Sequence, residues 1–131
     1  MNFITPRYRD LFKSVLDNNQ HRSDTAYDSI LFDRELAVPA LIQQYSEAPD
    51  NSQLRFICVQ LMGFSDSRQT IDTLIGALED PCASVRREAC LSLEQLKAEE
   101  AVEALKTRTF DVDPDVKEIA NETLSYLTKQ N

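Results

Sequence analysis

Cysteine and histidine are the residue types best suited to chemistry in this chain, and their spacing gives them little to do. Cys58, Cys82 and Cys90 are odd in number and lack the paired spacing of a disulfide framework or a zinc site, while the single His21 stands far from all three. Three reduced thiols and no bound metal are expected. A Ser/His/Asp arrangement has only His21 to draw on, and the chain has no glycine-rich phosphate loop, HExxH or CxxC run, so neither a catalytic centre nor a cofactor is implied. The carboxylates at Glu99-Glu100 and at Asp111, Asp113 and Asp115 fall at turns, where charge is ordinarily solvated. Cys82 alone invites a second reading. It occupies the place that Asn51 and Asp113 hold in neighbouring turns, just before a helix, where a thiol can become more acidic and more reactive. Neutral replacement in a tolerant turn is the favoured reading. Cys58 reads as a packing residue and Cys90 as an inert one at the edge of its helix face.

The elements that position these residues follow from a period of 31 residues over the last two thirds of the chain. Ile71, Leu74, Val85, Arg86, Ala89, Leu93 and Leu96 fall on Val102, Leu105, Val116, Lys117, Ala120, Leu124 and Leu127, and Asp80 falls on Asp111. Leu54, Arg55, Cys58 and Met62 extend the pattern backwards, with two extra residues absorbed in the turn around Pro49-Asp50-Asn51-Ser52. Further back, His21-Arg22, Thr25, Ser29 and Phe32 fall 64 residues before Val85-Arg86, Ala89, Leu93 and Leu96 with most apolar identity lost.

Each unit reads as two short helices. Ile71, Leu74, Ile75 and Leu78 follow the spacing that places four side chains on one helical face, and Val85, Ala89, Leu93 and Leu96 make the matching face of a second helix. Between the helices Asp-Pro or Asn-containing turns supply a capping oxygen. Such a hairpin cannot close a core by itself, so units must stack. The expected fold is all-α, a short solenoid of seven to eight helices in a single domain: a degenerate N-terminal capping unit over 1–36, then repeat units over 37–69, 70–100 and 101–131. The small residues Cys58, Ala89 and Ala120 permit close helix approach. Only two glycines occur, and alternating β-branched runs are absent, so strands have almost no signal.

With the core faces assigned, the opposite side of the second helices carries Arg87, Leu91 and Glu94, flanked by Phe56, Gln60 and Gly63 on one side and Glu118, Glu122 and Ser125 on the other. Phe56 and Leu91 are apolar where solubility would choose charge, which suits a protein-binding surface with Arg87, Glu94, Glu118 and Glu122 as orienting charges. The net charge is −8, with seven acids against three bases in residues 70–100 alone. Such a surface repels phosphate backbones and favours a protein partner with a basic patch. The longest apolar runs are too short to span a bilayer and the N-terminus lacks a signal-peptide core, so a cytoplasmic location is expected.

The segment TLIGALEDPCASVRREACLSLEQLKAEEAVEALK resembles the HEAT-like repeat of phycobiliprotein lyases, strongly over 70–127, fairly over 37–66 and weakly before. The resemblance implies a right-handed superhelix whose second helices line the inner surface. It also implies structural pairs of Asp80 with Arg86 and of Asp111 with Lys117, with Pro49 replacing the acid opposite Arg55. Two functions follow: an adaptor or scaffold that recognises a protein, or an accessory, chaperone-like role in attaching or removing a bilin on a light-harvesting phycobiliprotein.

Overall fold

Side-chain caps start four of the eight α-helices in the computed structural model, which describes residues 1–129. The Thr5 hydroxyl accepts from the Tyr8 N–H and Pro6 takes the first position of α1 (Pro6–Ser14). Asn19 caps α2 (Gln20–Asp33) and, after α3 (Val38–Ser46), Asn51 caps α4 (Ser52–Phe64). Following α5 (Ile71–Ala77), α6 (Ala83–Gln95) begins at Cys82 with no side-chain cap. After α7 (Val102–Arg108), Asp113 caps α8 (Pro114–Thr128) by accepting from the Asp115 and Val116 amides. Single 3-10 turns over Arg34–Ala37, Arg68–Thr70 and Glu99–Ala101 lead into α3, α5 and α7. The described residues contain these eight α-helices and no strand.

The result is a short α-solenoid. Helices α4, α6 and α8 run side by side as its spine, with α3, α5 and α7 each packed on its following partner. The spine helices are 13, 13 and 15 residues long, against 9, 7 and 7 for the helices behind them, so most of the stacking surface belongs to the spine. One core runs through all units. Leu41, Leu74 and Leu105 are sealed inside it from the first helices, and Val85 and Val116 from the second. Cys58, Ala89 and Ala120 are all fully buried, as close helix approach demands. Gly63 marks the tightest approach, because a Cβ there would lie 2.5 Å from the Ser92 hydroxyl and 2.9 Å from its Cα. The Ser92 hydroxyl donates to the Val59 carbonyl across the same contact at 2.9 Å.

The N-terminal hairpin departs from the expected register by one residue. Ala26 and Ile30, not Thr25 and Ser29, face the core, and Phe32 is almost fully exposed. The sparse apolar content of α2 leaves an alignment across it free to slip, and burial of Phe12, Val15, Ala26 and Ile30 settles the contact. The three chain reversals after α2, α4 and α6 also share a feature absent from the sequence pattern. Arg34, Asp66 and Lys97 adopt positive φ, at 52°, 59° and 52°, where glycine is the usual choice.

Candidate functional site

The acids and bases of the turns bind between units. Asp80 is buried and accepts from Arg55 Nε at 2.9 Å and Nη2 at 3.1 Å, from the Tyr45 hydroxyl at 2.7 Å and from the Cys82 N–H at 2.9 Å. Asp111 repeats the arrangement one unit on, accepting Arg86 Nε and Nη2 at 3.0 Å each, Arg108 Nη1 at 3.0 Å and the Asp113 N–H at 2.9 Å. The expected pairs of Asp80 with Arg86 and Asp111 with Lys117 are therefore corrected. Arg86 touches Asp80 only through its backbone carbonyl, at 2.9 Å, and exposed Lys117 has no acidic partner among the described residues. An arginine one turn into a spine helix reaches sideways to the next unit's turn more readily than back along its own. Burial raises the pKa of both carboxylates, but the arginine, amide and hydroxyl donors outweigh it and hold them below the ordinary range.

The polar side of the spine carries two grooves. The first, of about 380 Å³, lies between α4 and α6 and is lined by Gln60, Phe64, Glu88, Leu91, Glu94 and, from α8, Tyr126. Gln60 accepts from the Tyr27 hydroxyl of α2 at 2.8 Å, and Glu94 accepts from the Thr123 hydroxyl at 3.1 Å. Glu88 is buried, and burial raises its pKa against the opposing effect of the neighbouring Gln60 amide. The second groove is lined by Arg87, Asp115, Glu118, Ile119 and Glu122. Arg87 makes no ion pair within 4.0 Å of any of these acids.

A family model for HEAT repeats matches residues 38–125. The chain belongs to the HEAT-repeat family. The match runs from the first residue of α3 into α8 and leaves α1 and α2 outside it. A search of curated proteins finds no match to the chain. HEAT repeats commonly serve as protein-interaction scaffolds.

On this HEAT-repeat frame the expected binding residues divide. Gln60, Leu91 and Glu94 meet in the first groove, and Arg87, Glu118 and Glu122 in the second. Phe56 lies in neither: it is partly buried and packs against the core. Gly63, also placed on the outer face, is buried against Ser92. Phe64, Glu88 and Tyr126 are among the groove residues that escaped the sequence reading. Phe64 and Tyr126 stand one helical turn beyond Gln60 and Glu122, so extending those i+4 rows would have reached them. Glu88 carried no such signal, since nothing in its neighbours marks a buried acid.

The thiols are equally distinct. Cys90 is fully buried, not at a helix edge, because α6 packs on both α4 and α8. Cys82 is half-buried, and a hydrogen bond with the Ser84 hydroxyl at 3.1 Å favours its thiolate and lowers its pKa. Among the described residues no three His, Cys, Asp or Glu side chains are grouped to hold a metal, and no helix is long and apolar enough to cross a membrane.

Proposed function

We propose that this HEAT-repeat chain is an adaptor that recognises a protein partner along the polar side of α4, α6 and α8. One observation carries this reading: half-exposed Phe64, Leu91 and Tyr126 sit in an open groove among carboxylates. Apolar groups rimmed by charge gain from desolvation while the rim sets orientation. The acidic residues Glu94, Glu118 and Glu122 favour a partner with a basic patch and disfavour nucleic acid. Asp80 with Arg55 and Asp111 with Arg86 are read as scaffold, since the charges of each pair are spent on one another inside the stack.

The test is a partner recovered by affinity capture and then measured by surface plasmon resonance against variants. Leu91→Ala should speed dissociation. Glu94→Lys with Glu122→Lys should slow association and flatten its salt dependence, because exposed charges act on encounter over roughly 10 Å at 0.1 M salt. Wild-type rates from all three substitutions would refute the reading.

A further inference from the structure

We propose that the groove between α4 and α6 receives one arginine side chain from an extended basic segment of the partner, with its guanidinium between Glu88 and Glu94. The inference rests on the protein-binding reading above and adds the chemistry of what is bound. Among the described residues, the acidic side chains of Asp80, Asp111 and Glu88 are largely buried but are not treated alike. Asp80 and Asp111 each accept a two-nitrogen contact from an arginine. Glu88 retains only 8% of its surface, yet makes no ion pair with any described residue. Its carboxylate opens onto the groove, where an arriving cation can pair with it.

The surroundings of Glu88 select the cation. Gln60 offers it a neutral amide, but the Gln60 oxygen is already committed to Tyr27. Two exposed cations make no ion pair with Glu88 or Glu94: Arg87, whose charge acts on Glu88 from the side of the other groove, and Lys97, which lines this one. Leu91, Phe64 and Tyr126 offer apolar surface to a methylene stem, and two of them are rings on which a guanidinium can lie. A planar guanidinium can bridge two carboxylates, where an ammonium acts as a point charge. Two carboxylates are too few for a hard divalent cation, which takes six or more oxygens.

The experiment presents the full chain with libraries of short acetylated peptides in which arginine, lysine or citrulline is fixed at the central position. Citrulline keeps the shape and removes the charge. Arginine peptides should be retained about tenfold or more over citrulline peptides, with lysine between them. Glu88→Gln should abolish the preference with the melting temperature held or raised, and Glu94→Gln should weaken it. Equal retention of arginine and citrulline peptides, an arginine preference that survives Glu88→Gln, or retention of no peptide overturns the proposal. The adaptor reading is judged separately, by the association rates of Leu91→Ala and the double charge reversal, so the two can fail independently.

Discussion

Replacing Asp80 with asparagine should cost about 3–5 kcal/mol, the usual result of breaking one side of a buried ion pair. The carboxylate takes two guanidinium hydrogen bonds from Arg55, one from Tyr45 and one from the Cys82 amide. Asparagine keeps one oxygen and turns an N–H₂ group toward donors. Arg55 would be left inside the stack with only the Ala48 and Pro49 carbonyls, at 2.9 and 2.8 Å, to hold its charge. For a chain of this length the loss corresponds to a melting temperature lower by on the order of 10–20 °C. Urea denaturation followed by circular dichroism measures it, with an unchanged slope showing that the unfolded surface is the same. The double change Arg55→Met with Asp80→Leu should recover most of the loss, since it removes both charges. Acid supplies an independent arm. The folded-state pKa of Asp80 lies below its unfolded value, so the native state binds fewer protons and the contribution is fully present above the unfolded pKa. It is lost as pH falls through the folded pKa, and the gap between wild type and Asp80→Asn should close on acidification. A midpoint within about 0.5 kcal/mol of wild type at neutral pH would show that the inter-unit pair does not hold the stack.

Three further outcomes are expected. Gly63→Ala should destabilise by about 1–3 kcal/mol, because its Cβ would meet the Ser92 backbone and force α4 and α6 apart; an unchanged denaturation midpoint would refute that contact. Lys97→Gly should stabilise by up to about 1 kcal/mol, as the left-handed backbone at φ 52° no longer carries a side chain, and a lower midpoint would count against it. Iodoacetamide should alkylate Cys82 first in the native protein, since the Ser84 hydrogen bond favours its thiolate while burial pushes the Cys90 thiol up to about 12 and Cys58 higher still. Mass mapping that found Cys58 or Cys90 labelled at the same rate would contradict the burial pattern.

The fold was legible because the repeat writes its core three times. Positions such as Leu74 and Leu105, or Val85 and Val116, are buried by the same geometry in successive units, so their recurrence in sequence reports their place in space. The pairing of Asp80 was not legible from its turn. Arg86 lies six residues away and Arg55 lies 25 away, and only the lateral offset between adjacent spine helices decides that the distant one reaches the carboxylate. The outer face was half legible for a related reason. Helical periodicity separates inside from outside on one helix, which puts Leu91 and Glu94 on the outward face, where they line a groove. It cannot say which outward residues a neighbouring unit covers, as Ser92 covers Gly63 and the core partly covers Phe56.

The same lateral contacts connect the scaffold to the proposed binding surface. Arg55 to Asp80 and Arg86 to Asp111 link the α4, α6 and α8 units in series, each through two nitrogens and two oxygens, so each link resists rotation as well as separation. Gly63 against Ser92 sets the spacing of α4 and α6 from the other end of the same interface. Glu88 and Leu91 on α6, Phe64 on α4 and Tyr126 on α8 are thus held at separations that no single helix could fix. A partner side chain entering the groove meets groups already ordered, which spares the entropy of arranging them on binding. The buried ion pairs thus keep the grooves in register without entering them.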